Sequence, residues 1–147
     1  MKGAEQKMLR KVQYYETDRM GIAHHANYLH WMEEARILFM EELGFAYERM
    51  EAEGILSPVR AVQLEYLQSC TFGDLLTVEV RVLSFDKVVL RLGYTISKNG
   101  QDDCICRATS DHVFLDPEGH FVRIHRRLPE FTEKIEQCIH KQGRDVC

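Results

Sequence analysis

At Pro58 the hydrophobic period of this chain switches from helical to alternating, and that switch decides what it can become. Upstream, Tyr28, Trp31, Met32, Ala35, Leu38, Phe39 and Leu43 fall at the three-and-four spacing of a helix with one apolar stripe. Glu33, Glu34, Arg36, Glu41 and Glu42 hold much of the opposite face. Gly44 is a natural stop, because glycine accepts the left-handed conformation that ends helices. Residues 46–53 read as a shorter helix ending at Gly54. Downstream the period is two: Val62, Leu64 and Tyr66, then Leu76, Val78, Val80 and Val82, then Val88, Leu90, Leu92, Tyr94 and Ile96. Asn99-Gly100 signals a hairpin into a strand over 102–115, and Asp116-Pro117-Glu118-Gly119 a turn that returns the chain through 120–124. Residues 9–15 suit a first strand. Pro129 opens a C-terminal helix, about 129–142, carrying Phe131, Ile135, Cys138 and Ile139, and the last residues read as frayed. A helix with one apolar stripe has to bury it, and strands with one wet face supply the surface, so the order predicts an α+β fold with an antiparallel sheet. No repeat or linker interrupts the 147 residues, which predicts one domain over 1–147.

The net charge of −4 lacks the basic excess of a nucleic-acid footprint and leaves a small molecule or a protein as the expected partner. No apolar run is long enough to span a bilayer and the first residues lack the apolar core of a signal peptide, so the expectation is a cytoplasmic chain without membrane contact. Five cysteines, odd in number and scattered, predict free thiols rather than a disulfide framework. Cys104 and Cys106 share a strand face, but nothing nearby completes a zinc site, and no metal is expected. Cys70, near the Gly73-Asp74 turn, reads as packing, since no sequence neighbour lowers its pKa.

The polar chemistry gathers just before the long helix, in YYETDRMGIAHHANY, residues 14–28. A helix start leaves backbone N–H groups unpaired and carries about half a positive charge, so it attracts oxyanions. Gly21 permits a bend that folds Asp18 back over that start. A carboxylate beside oxyanion donors is what acyl-transfer hydrolysis needs, since the carboxylate attacks an acyl carbon or deprotonates a water that does. On spacing alone Asp18 reads first as a turn or cap residue, Asn27 as the helix cap, and His24-His25 as ordinary loop histidines.

The stretch VQYYETDRMGIAHHANYLHWMEEAR, residues 12–36, closely resembles the opening of the hot-dog-fold acyl-CoA thioesterases of the 4-hydroxybenzoyl-CoA thioesterase family, especially its bacterial short-to-medium-chain branch. The resemblance rests on a tyrosine, then Thr-Asp, a Gly three residues later, and His-Ala-Asn-Tyr at the helix. It continues through Gly44-Phe45, Tyr66 and Phe72-Gly73-Asp74, about residues 9–128. It implies a hot-dog fold, an antiparallel sheet wrapped around a long central helix, with subunits pairing sheets edge to edge as a homodimer or homotetramer and active sites between them. It implies hydrolysis of an acyl-CoA to a carboxylic acid and free CoA, without cofactor or metal. By position Asp18 is the general base or nucleophile, His25 its partner at the carbonyl beside a polarising backbone N–H, and Tyr14 an active-site tyrosine that helps orient the acyl group. Glu16 stands where relatives often carry Asp, which keeps a negative charge beside the site. For the CoA phosphates Lys87, Arg91, Arg123, Arg126 and Arg127 are available, none in a diagnostic motif, and His125-Arg126-Arg127 reads as a solvated face. An acyl-carrier-protein thioesterase, a non-catalytic acyl-CoA-binding protein and a hot-dog dehydratase are the rival readings.

Overall fold

The computed structural model describes residues 5–99, 101 and 103–141. Five strands, β1 (Glu5–Lys11), β2 (Val59–Tyr66), β3 (Leu75–Phe85), β4 (Leu90–Lys98) and β5 (Cys104–His112), form one sheet in the order β1-β3-β4-β5-β2. Every neighbouring pair is antiparallel. Helix α1 (Ala26–Leu43) lies on this sheet against β1 and β3, a short α2 (Tyr47–Ala52) follows, and α3 (Ile124–Arg127) and α4 (Pro129–Lys141) close the chain. One antiparallel sheet with helices laid on it is the α+β class expected.

The helix stripe buries Tyr28, Trp31, Met32, Ala35, Phe39 and Leu43, as its spacing predicts. It meets Leu76, Val78, Val80 and Val82 of β3 and Leu92 and Ile96 of β4, all essentially inaccessible. Each such side chain contributes roughly 1.5–3 kcal/mol on leaving water. Gly44 ends α1 at φ 93°, and its N–H closes on the Glu41 carbonyl. Within the same core Phe45, Phe85, Phe114 and Phe131 make edge-on contacts, which fixes α4 on the sheet.

Several expectations shift. The first strand is Glu5–Lys11 rather than 9–15, because residues 14–16 turn into a single 3-10 turn. Residues 120–124 form no strand; only isolated bridges link Leu56 to Leu115 and Leu115 to Phe121. Leu38 is 38% exposed, whereas Arg36, assigned to the wet face, is 8% exposed. Its Nε donates to the Tyr47 hydroxyl at 2.7 Å and an Nη to Glu33 at 3.1 Å, so the charge enters the core already paired. Cys70 and Cys106 are free and buried, but Cys104 is disulfide-bonded, which corrects the expectation of free thiols throughout. Gly100 of the expected hairpin and the end of the chain past 141 lie outside the described residues. No helix among those described is long and apolar enough to cross a membrane.

Candidate active site

The Asp18 loop is a tight hairpin between β1 and α1. Thr17 bridges Ala23, the Asp18 N–H donates to the Ile22 carbonyl at 3.0 Å, and the Gly21 N–H donates to the Asp18 carbonyl at 2.9 Å. Gly21 sits at φ 79°, in the left-handed region this turn demands. Thr71 Oγ1 donates to the Gly21 carbonyl at 2.7 Å, and the Ala23 N–H to the Cys70 carbonyl at 2.8 Å, which tie the loop to the segment after β2.

Glu16 does the remaining anchoring, and it does not face the site as its sequence position suggested. Its carboxylate, 3% exposed, accepts from Arg10 at 2.8 Å, from the Gln13 N–H at 2.8 Å and from the Trp31 indole at 2.9 Å. Its carbonyl accepts the His24 N–H and the Asn27 side-chain amide, each at 2.8 Å. One residue therefore holds both the entry to the loop and the start of α1.

The helix is capped by a histidine, not by Asn27: His24 Nδ1 accepts the Ala26 N–H at 3.1 Å, which puts its ring proton on Nε2. The N–H groups of Asn27 and Tyr28 are taken by the carbonyls of His24 and His25. Among the described residues nothing accepts the N–H of His25. Likewise Asp18 Oδ1 accepts the Met20 N–H at 2.9 Å, while no hydrogen bond to Oδ2 is present among the described residues.

Asp18 and His25 line one cavity of about 290 Å³ together with Tyr28, Tyr66 and residues 67–69. Tyr66 reaches across from β2 and donates to the His25 carbonyl at 3.0 Å, which fixes the peptide ahead of the helix. Tyr28 meets Tyr66 edge-on at 5.0 Å and approaches Cys70 Sγ at 3.4 Å. Burial pushes the Cys70 thiol up, so it stays protonated and serves packing. Tyr14 is outside this cavity's lining: it is 76% exposed and packs edge-on against Phe72 at 5.6 Å. Sequence reasoning missed Tyr66 as a site residue: it was read in the alternation of β2 and as part of the resemblance, with no role given to it.

No group of three or more His, Cys, Asp or Glu among the described residues is arranged to hold a metal ion. The site thus offers a carboxylate oxygen and a backbone donor facing one small cavity. The model of the thioesterase-like superfamily matches residues 12–138, nearly the whole chain. The chain belongs to that superfamily. Within it, the chain is 38% identical over 128 residues to YneP of Bacillus subtilis, a candidate acyl-CoA thioesterase, covering 86% of this chain and 92% of YneP. It is 28% identical to a 1,4-dihydroxy-2-naphthoyl-CoA hydrolase of Thermosynechococcus vestitus, covering 87% and 88%. The solved DHNA-CoA thioesterase of Staphylococcus aureus superposes with a TM-score of 0.85 at 26% identity, covering 90% and 89%.

Proposed function

We propose that this protein hydrolyses acyl-CoA thioesters to a carboxylic acid and free CoA. The observation that carries the reading is the pairing of two open groups, Asp18 Oδ2 and the His25 N–H, on one cavity. A thioester carbonyl oxygen set on the His25 N–H gains a donor where negative charge develops, at the positive end of α1. Asp18 then takes a proton from water as the water oxygen bonds to the acyl carbon, the C–S bond breaks, and the thiolate leaves and takes up that proton. In the nucleophilic alternative Asp18 bonds to the acyl carbon and expels the thiolate, and water then cleaves the acyl-aspartyl anhydride, giving its OH to the acid and its proton to the thiolate. The His25 side chain, stacked on His24 at 4.2 Å, orients the carbonyl or water beside it. Tyr14, outside the cavity lining and packed on Phe72, stays in this reading only as an orienting residue for the acyl group. The named activities of the S. aureus and T. vestitus relatives support the substrate class.

The same reading makes the protein a homodimer through β2, which a tetramer would double. This strand is a sheet edge, and Val59, Val62, Tyr66 and Leu67 on it and just past it are all at least 43% exposed. An apolar edge of that kind seeks a partner strand.

A thiol-release assay over aliphatic and aromatic acyl-CoAs tests the activity. A positioned base is worth roughly 10²–10⁴ in rate, so Asp18→Asn lowers kcat at least a hundredfold without loss of fold. Near-normal turnover by the folded variant overturns the assignment.

A further inference from the structure

A tyrosine does reach the carbonyl end of the Asp18 cavity, but not the one the resemblance points to. Tyr14 lies outside the cavity lining and packs on Phe72. Tyr66, the last residue of β2, lines the cavity and stands edge-on to two of its other walls, the Tyr28 ring at 5.0 Å and the His25 imidazole at 6.3 Å. A phenylalanine would make both ring contacts. The hydroxyl does something else: it donates to the His25 carbonyl at 3.0 Å, from 41 residues away in sequence.

The peptide between His25 and Ala26 is thereby held at both ends. Its carbonyl takes the Tyr66 proton and, at 3.3 Å, the Tyr28 N–H, while its own N–H goes to His24 Nδ1 at 3.1 Å. The peptide before it carries the open His25 N–H, and its carbonyl takes the Asn27 N–H at 3.0 Å. The two planes meet at the His25 Cα, where φ is −58° and ψ is −28°, so holding one plane fixes the aim of the donor in the other. Of these bonds all but one join residues 24 to 28 and turn together with the helix end. The Tyr66 bond refers the donor to the sheet, which carries the far wall of the cavity. An oxyanion donor needs that reference, because it acts only where it meets the position the oxygen takes in the transition state, about 3 Å away. Burial and the nearby Cys106 thiol raise the Tyr66 phenol, so it keeps its proton at neutral pH.

We propose that Tyr66 is a positioning residue for the hydrolysis: its hydroxyl holds the His25 N–H on the developing oxyanion, whatever the acyl group; this rests on the acyl-CoA reading above. Tyr66→Phe keeps the ring and removes the donated proton. Losing a whole oxyanion donor costs roughly 10²–10³ in kcat and misaiming it costs part of that, so kcat falls roughly tenfold or more. KM holds, and the factor is the same for a short aliphatic and an aromatic acyl-CoA. Unchanged kcat overturns the proposal, as does a loss that appears in KM or differs between the two acyl groups, since either would make Tyr66 a wall of the acyl pocket. A wild-type protein that hydrolyses no acyl-CoA overturns the acyl-CoA reading instead. A thioether analogue, with a methylene in place of the carbonyl, offers the donor no oxygen and binds wild type and variant equally; weaker binding to the variant overturns the positioning role. Trifluorotyrosine at position 66 isolates the proton. Its phenol ionises at lower pH than tyrosine's and then cannot donate, so kcat of that protein falls on the alkaline side at a pH where the wild type is still fully active. Coincident pH profiles, whatever happens to the urea midpoint, overturn the role of the hydroxyl.

Discussion

Glu16 and Asp18 are two residues apart and have opposite fates. Glu16 is spent on structure: its buried carboxylate satisfies Arg10, the indole of Trp31 and a backbone N–H at once. Removing one partner of a buried charge network leaves the others unpaired, which typically costs about 3–5 kcal/mol. Glu16→Ala is therefore expected to lower the urea midpoint of unfolding sharply, while Glu16→Gln, which keeps acceptor capacity toward the indole, loses less. A Glu16→Ala protein as stable as wild type would contradict this account. Asp18, by contrast, is held by its own turn and keeps one oxygen open. The sequence placed both carboxylates before the helix but did not separate their roles, because the difference lies in Arg10, one strand earlier, and in Trp31, two turns into α1.

Elements meet over a buried polar chain that no periodicity forecasts. Tyr94 of β4 contacts Ser110 Oγ at 2.6 Å, Ser110 contacts His112 Nε2 at 2.6 Å, and Arg36 of α1 reaches the Tyr47 hydroxyl of α2 at the same layer. Burial, with the nearby Arg36 charge, pushes the His112 imidazole down to about 4. The unfolded chain protonates this histidine near pH 6.5 and the folded chain does not, so the unfolded state binds more protons between those values. Stability is complete above pH 6.5 and is lost as pH falls toward 4, by roughly 3 kcal/mol from this group alone. Urea titrations at pH 7 and pH 4.5 measure the loss, and in His112→Asn the difference between the two shrinks; an equal difference in both proteins refutes the assignment. The period-two reading found the inward rows of β3 and β4 correctly, since Leu76, Val78, Val80 and Val82 are all inaccessible. The helical reading treated Arg36 as a surface residue, because a single polar residue looks the same in a sequence whether its partners are water or the far side of a core.

For the whole molecule, the helix-then-strands order and the glycine stop at Gly44 carried the architecture, and the resemblance carried Asp18 and His25 to one cavity. What sequence left unread is everything set by contacts between distant segments, Tyr66 at the His25 peptide above all. The proposed dimer adds a dependence on concentration. Dilution lowers specific activity toward zero with a midpoint at the dimer dissociation constant, and Val62→Lys brings that loss to higher protein concentration; sedimentation alongside turnover checks both. Specific activity unchanged through a measured dissociation would rule out a shared site.

The sheet has two open edges, and they are unlike. If β2 of one copy paired with β1 of the next, each addition would leave a fresh edge and the chains would grow into a fibre, whereas β2 on β2 is its own complement and stops at two. The exposed Lys7 and Lys11 on β1 repel strand addition at that end. In the proposed dimer β2 thus also sets the limit at which assembly through that edge ends.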